Sequence, residues 1–523
     1  MKNIKKYILA TAVLGVLTTS CTEDQVLDLN PIASLSDATA FSSPSLIANA
    51  VNGMYNAAQI GAYNGSGRGY PWGAAYIQQN DMRGEDLINT QAFYQVTYQG
   101  TWDPTGAANS VYYWVDSYRL INRVNVVIEG VEKAVKDGVI SKALGDHYIG
   151  EAKFLRGITH FELLMFFSRP YADNPSSNLG IPYRTTAIQD FGVVESAYND
   201  KRLTVADSYA KVLEDLDDAE SKLNSKSVVG DVTRVSKEAA VAFKARVKLH
   251  KADWSGVLNE VAKISNSYTL TSTPSGVFEN NNSNTESIFS IGNSANVNPG
   301  VNGALASQYK RRTLIAISPI IWNDTEWLED DKRRLTTDKG DVNGEYMIYK
   351  TETGLYTNKY RDDVNYTDST PIIRFAEVLL MKAEAEARLN GVTSAALDAL
   401  NAVRDRALTD PSTQSYTLSS FTDKEAFVKA VIKERRIEFL AEGKRWADIH
   451  RLQFDDLAPI SGVPGKMANG FPVSSTTNPY GFGKPAVGTL YTMPYSSHLF
   501  VWPLPTLEVQ YNPTLAAQQN PNY

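Results

Sequence analysis

Residues 238–264 read EAAVAFKARVKLHKADWSGVLNEVAKI, and this stretch decides the class of fold. Ala239, Ala242, Ala245 and Val247 let helices approach closely, and Asp253-Trp254 turns the chain into a second apolar-periodic segment. Residues 375–404 repeat the plan: Phe375, Leu379, Ala383 and Ala387 form one stripe, Asn390-Gly391 supplies a stop, and a second helix follows. A lone helical hairpin cannot bury its apolar face, so several such pairs must stack. The expected fold is mainly α, a tetratricopeptide-like scaffold of helical hairpins.

Outward from these pairs, apolar residues at spacings of three and four predict helices from Tyr112 to Lys136, Lys142 to Phe167, Val205 to Leu223, Lys237 to Lys251, Ile372 to Leu389, Ser394 to Arg406 and Asp423 to about Leu452. Residues 60–105, 168–200, 268–370 and 453–523 differ: they are rich in Gly, Pro, Asn, Ser and aromatics, with a few short β-like runs such as Glu286 to Ile291. Loops this long are usually functional, because they cost ordering entropy without building a core. The scaffold is thus expected to carry long aromatic-rich loops. An N-terminal region, 39–267, and a C-terminal region, 268–523, would form one compact unit.

Residues 421–451 hold a further signal. Thr422-Asp423-Lys424-Glu425 fits a capping box. Phe427, Val428, Val431, Ile432 and Phe439 fall on one stripe, and Arg435, Glu438 and Glu442 fall inside it. Charges on a buried face need partners. A catalytic carboxylate pair is one reading; an internal network of Arg435 or Arg445 with Glu438 and Glu442 is the favoured one.

At the N-terminus, Lys2, Lys5 and Lys6 precede an apolar run from Tyr7 to Leu17, the pattern of an export signal. Leu17-Thr18-Thr19-Ser20-Cys21 resembles a lipoprotein lipobox, with Leu four residues before the cysteine rather than three. Residues 1–20 are then removed and Cys21 becomes the acylated first residue of a polar tether over 21–38. Acyl chains hold a protein to a membrane without a transmembrane helix.

The 523 residues include 51 Lys+Arg and 58 Asp+Glu, a net charge of −7 that becomes −10 once the three signal lysines are lost. An acidic body argues against non-specific nucleic-acid binding. One Cys and five scattered His argue against cysteine-built or His-rich metal sites, and no cofactor is expected.

Four segments carry a family resemblance: ERRIEFLAEGKRWADIHRL at 434–452, IRFAEVLLMKAEAEARLNG at 373–391, EAKFLRGITHFELLMFFSRPY at 151–171 and LPTLEVQYNPTLAAQQNPNY at 504–523. Together with the lipobox they resemble the SusD/RagB family of surface glycan-binding lipoproteins of Bacteroidetes. The resemblance implies the tetratricopeptide-like fold, no catalysis, and a place over the outer-membrane mouth of a SusC-like TonB-dependent transporter, to which oligosaccharide or, in some members, peptide is passed. Glu23 and Asp24 behind Cys21 are similar to the family's surface-export signal.

Nucleophile-elbow, zincin and phosphate-loop patterns are absent from the sequence. A surface glycoside hydrolase stays as a weak alternative, with Asp330-Asp331 and Asp362-Asp363 as candidate acids. Residues 338–345 and 361–368 collect oxygen ligands that would suit calcium but lack EF-hand spacing.

Binding has better support, because a pyranose stacks its C–H face on an aromatic ring while its hydroxyls seek Arg, Asp and Asn. Three loops offer both: Tyr70, Trp72 and Tyr76 beside Arg68, Asp81 and Arg83; Tyr98 and Trp102; and Tyr309, Arg311, Trp322 and Trp327. Of these, Tyr70, Trp72, Asp81, Arg83, Trp102, Tyr309, Arg311, Trp322 and Trp327 are the expected ligand-binding residues. Gly65, Gly67, Gly69 and Gly73 suggest a flexible first loop. Trp446 and Trp254 are assigned to the core.

Overall fold

The computed structural model describes residues 37–61, 67–105, 108–189, 193–195, 199–279, 283–338, 344–474, 478–487 and 490–523. The export signal, Cys21, nearly all of the tether and Gly65 lie outside the described residues.

The main helices are α1 (Pro44–Ile60), α2 (Ala74–Arg83), α3 (Ala108–Lys136), α4 (Lys142–Phe167), α5 (Val205–Lys222), α6 (Lys237–His250), α7 (Trp254–Ile264), α8 (Phe375–Asn390), α9 (Ser394–Asp405), α10 (Lys424–Glu438) and α11 (Arg445–Arg451). From α3 to α10 each packs against the next, in the stacked manner the hairpin repeats require. The starts are set by side-chain caps: Ser141, Thr204, Ser236, Asp253, Thr393 and Asp423 each accept a hydrogen bond from an N–H of the first helical turn. At α10 the cap is Asp423, not Thr422.

Helices α4 and α6 form the centre, and most of their residues are buried on every side. Close approach is required there. A Cβ on Gly150 would lie 2.9 Å from Leu223 Cγ, and one on Gly157 would lie 3.3 Å from Asp215 Cβ, so α5 can seat directly on α4. The C-terminal tail returns to the end of α4. Trp502 stacks on Phe166 at 4.2 Å and donates its backbone N–H to Phe166 O, while Asn520 donates to Phe167 O.

The strands are short: β1 (Leu87–Asn89), β2 (Ser287–Ile291), β3 (Ile315–Ile317), β4 (Thr336–Thr337), β5 (Ile348–Thr351), β6 (Gly354–Thr357), β7 (Thr370–Arg374), β8 (Val463–Met467) and β9 (Leu490–Met493). They make small sheets. Antiparallel β1–β3, with Leu87 opposite Ile317 and Asn89 opposite Ile315, joins the loop after α2 to the segment around Arg311.

Two expectations are corrected. Ile372 to Arg374 belong to β7, paired with β2, and the helix starts at Phe375. The single helix expected from Asp423 to Leu452 breaks between Glu438 and Arg445, where Ala441 (φ 62°) and Gly443 (φ 70°) reverse the chain. A Cβ on Gly443 would lie 2.7 Å from Ile77 Cα, so glycine is needed there for both space and conformation.

The charged stripe of α10 is an ion-pair network, as favoured, but with other partners. Glu438 meets Arg374 at 2.7 Å, Arg406 at 2.6 Å and Arg333 at 2.9 Å; Glu442 meets Lys359 at 2.6 Å and Arg374 at 2.9 Å. Arg435 pairs instead with Asp448, and Arg445 with Glu85. Partners distant in sequence compensate the desolvation, which nearby arginines alone do not.

Candidate functional site

Most of the loop aromatics singled out in the sequence are core anchors. Trp72 is 0% exposed, packs against Tyr76, and donates Nε1–H to Thr159 Oγ1 at 2.9 Å. Tyr70, also buried, accepts from Gln79 and meets Tyr113 edge-on. Trp102 is closed over by Tyr523, to whose Oη its Nε1 donates at 2.7 Å. Trp327 is buried under the Arg334 guanidinium at 4.4 Å. Large rings in loops take apolar cover inside the fold, and the polar tips of Trp72, Tyr70 and Trp102 find partners there.

The polar candidates beside them are buried too. Asp81 accepts from Tyr309 Oη at 2.5 Å and from Gly443 N at 3.0 Å, so neither Asp81 nor Tyr309 faces a ligand. Arg83 lies in a cage of rings, its guanidinium carbon 3.6 Å from the Trp446 ring centre and 4.8 Å from that of Trp102, and it donates to Phe500 O. Burial pushes its pKa down to about 9, still cationic at neutral pH. Trp446 is core as expected; Trp254 is only half-buried, under Arg388. The glycine loop is not loose at Gly69 and Gly73: a Cβ on Gly73 would lie 2.2 Å from Gln59 O.

Two candidates keep accessible side chains, Arg311 and Trp322. They lie beyond opposite ends of β3. Trp322 is half-buried against Trp327 and Tyr480, with Arg334 4.8 Å from its ring. Arg311 is exposed and closes a π-helical turn, Ser307–Arg311, in which Arg312 N donates to Ser307 O at 2.9 Å. Such wide turns recur at functional sites because the extra residue re-aims the side chains that follow.

Around this turn the fold gathers several loops. Thr90 N donates to Leu314 O, which sets Phe93 beside the turn. The half-exposed Phe93 ring has the Arg68 guanidinium at 5.2 Å and that of Arg312 at 6.0 Å. Arg312 also donates to Asn302 Oδ1 at 3.1 Å. On the other side Arg311 donates to Tyr366 Oη at 2.9 Å and to Asp363 O at 3.3 Å. Tyr366 is held at φ 59°, a strained conformation for tyrosine, by the turn that Asp362 closes through Asn365 N and Thr367 Oγ1. Asn298 spans the two loops by donating to Asn365 O. The arrangement offers half-exposed rings edged by guanidinium and amide forks, which is binding chemistry. The sequence signal for it is the run Lys310-Arg311-Arg312 in an acidic chain, a weaker mark than the tryptophans that draw attention elsewhere.

Of the four candidate acids, three are otherwise engaged. Asp331 caps a turn and grips Arg333 at 2.7 Å, Asp362 closes its own loop, and exposed Asp330 accepts from Gln414. Among the described residues no group of three or more His, Cys, Asp or Glu is placed to hold a metal ion; part of the 338–345 segment lies outside them. A groove of about 720 Å³ beside Tyr268 offers no ring face, because Tyr268 is buried and the Lys226 ammonium sits 3.7 Å from its centre.

The helical-hairpin scaffold carries a loop-built surface with the chemistry of a capture protein. Comparison agrees. Residues 323–523 match the SusD family model, and residues 26–249 match a model described as starch-binding and associating with the outer membrane. A SusD-like protein of Formosa agariphila is 26% identical over 521 residues, covering 88% of this chain and 94% of the relative. The crystal structure of a SusD superfamily protein from Bacteroides fragilis superposes with a TM-score of 0.75 at 26% identity, covering 91% of this chain and 99% of that one. A SusD-like carbohydrate binding protein from Bacteroides vulgatus shares the fold, with a TM-score of 0.69 at 17% identity over 90% of this chain and 97% of its own. The chain belongs to the SusD/RagB family of non-catalytic binding proteins, and the match over residues 26–249 associates it with the outer membrane.

Proposed function

We propose that this chain is a cell-surface lipoprotein, anchored through acylated Cys21, that captures an oligosaccharide and delivers it to a SusC-like TonB-dependent transporter. The observation that carries the reading is the loop cluster at the end of β3, where Phe93 and Tyr366 present partly exposed rings beside Arg68, Arg311 and Arg312. Ring faces hold the apolar side of a sugar and the guanidinium and amide forks hold its hydroxyls. Trp322, beyond the far end of β3, is a platform for an outer sugar unit. The fold supplies rigidity: buried Asp81, Tyr309 and Gly443 fasten the Arg311 turn to α2 and to the α10–α11 turn.

The test is calorimetric titration of residues 22–523 against plant, host and microbial oligosaccharides, with the ligand analysed afterwards for new reducing ends. Saturable binding of an intact oligosaccharide is expected, together with co-purification of a transporter from outer membranes and loss of membrane attachment in Cys21→Ala. Flat titrations across the panel would contradict the saccharide reading and favour peptide capture.

A further inference from the structure

We infer that the site around Phe93 selects glycans that carry carboxylate or sulfate groups, an inference that rests on reading this loop cluster as the saccharide site. Three guanidinium groups, Arg68, Arg311 and Arg312, edge one small surface of a chain whose net charge is −7. Many arginines elsewhere in this fold are matched to acids, Arg374, Arg333, Arg246 and Arg451 each meeting a carboxylate within 3 Å, while Arg83 and Arg202, which meet none, are buried among rings and neutral oxygens.

Arg311 and Arg312 are different. Among the described residues neither forms an ion pair, and each uses one terminal nitrogen on neutral oxygens: Tyr366 Oη and Asp363 O for Arg311, Asn302 Oδ1 and Val301 O for Arg312. Their remaining N–H groups point at no described acceptor. The acids of the neighbouring loop are spoken for, since Asp362 accepts from Asn365 N and Thr367, and Asp368 accepts from the N–H groups of Arg361 and Asp362. Asp363 is the remaining carboxylate there, and Lys310 is buried, donating to Arg361 O.

A planar guanidinium with a free edge matches the paired oxygens of a carboxylate or sulfate, in charge as well as shape. Sugar hydroxyls also accept from such a fork, but they bring no negative charge to it and make the weaker bond. The Phe93 ring and the bonds to Asn302 and Tyr366 hold the forks in place before ligand arrives, which reduces the ordering cost on binding. Uronic acids and sulfate esters share this chemistry, and the experiment separates them.

Residues 22–523 are titrated with tetragalacturonate, an unsulfated chondroitin tetrasaccharide, a sulfated carrageenan tetrasaccharide, and neutral maltotetraose and cellotetraose. At least one acidic saccharide is expected to bind on the order of tenfold or more tighter than every neutral one. That preference should shrink between low and high salt, because exposed charges are screened. Arg311→Gln with Arg312→Gln should abolish the preference, whereas Phe93→Ala should weaken whatever saccharides bind, alike. A response to the uronate or the sulfate arm identifies the group recognised. Neutral saccharides binding as well as acidic ones would overturn the inference and leave the saccharide reading intact. Binding by none of the five would overturn the inference, and the wider panel would then decide the saccharide reading.

Discussion

Tyr309 Oη donates a 2.5 Å hydrogen bond to Asp81 Oδ2, and through it the turn bearing Arg311 is tied to α2. Burial pushes Asp81 up from 3.8 to about 7, against the hydrogen bonds from Tyr309 and Gly443. A folded pKa above the unfolded one means the folded state holds the extra proton between these values. Stability from this group therefore falls as pH rises from about 4 to about 7 and is level outside that window. Asp81→Asn is expected to flatten the dependence of Tm on pH in that window. An unchanged slope in thermal scans from pH 4 to pH 8 would show that Asp81 is not the titrating group.

The loop tryptophans separate stability from binding. Trp72→Ala removes a fully buried ring and should cost about 3–5 kcal/mol in denaturant unfolding. Its ligand affinity, measured at a temperature where the variant stays folded, should match wild type. A selective loss of affinity with stability intact would return Trp72 to the binding site.

Arg374 bridges three acids, meeting Glu286 at 2.6 Å, Glu438 at 2.7 Å and Glu442 at 2.9 Å. Burial raises the Glu438 carboxyl, but Arg406, Arg374 and Arg333 outweigh it and hold that group well below the ordinary carboxylate range. Arg374→Met leaves buried acids short of a cation and should destabilise by about 3–5 kcal/mol. Because Glu438 is depressed, its contribution is present above its ordinary pKa and lost as pH falls through the folded value. Wild-type stability should thus decline in acid, and the variant should be destabilised least where these carboxylates are protonated. A uniform penalty at all pH values would contradict the network account.

Lys466 is buried without a carboxylate within ion-pair distance among the described residues; its ammonium donates to Met82 O at 2.8 Å and lies 4.2 Å from the Tyr98 ring. Burial, then nearby Arg83, lowers its pKa to about 7. Here the unfolded chain holds the extra proton, so stability from this group rises as pH goes from about 7 to about 10. Lys466→Met should remove that rise and gain most, relative to wild type, at pH 7 and below. Parallel stability curves for the two proteins between pH 7 and pH 10 would refute it.

Periodicity made the helical scaffold legible in the sequence. Helices α3 to α7 and α9 alternate faces or repeat small residues, and their bounds fall within a few residues of expectation. Helix α2 is invisible to such a reading because all ten of its residues are buried. Polar Gln78, Gln79, Asn80 and Asp81 look like a loop in sequence, yet each finds at least one internal partner, Asn80 donating to Glu162 at 2.7 Å for example. Helix α1 does carry a signal, Ser43-Pro44 ahead of Ile47, Val51, Met54 and Ala58. The proposed site is legible by region and not by residue. Aromatic content locates apolar area but not the side from which it is covered, so Trp72 and Trp102 stand out while Phe93 and Tyr366 do not.

Titration of the same oligosaccharide into Phe93→Ala and Trp72→Phe, beside wild type, tests the central claim most directly. The account predicts that Phe93→Ala weakens binding on the order of tenfold, as loss of a stacking ring does, while Trp72→Phe leaves affinity unchanged. Wild-type affinity in Phe93→Ala, with binding lost in Trp72→Phe, would contradict it.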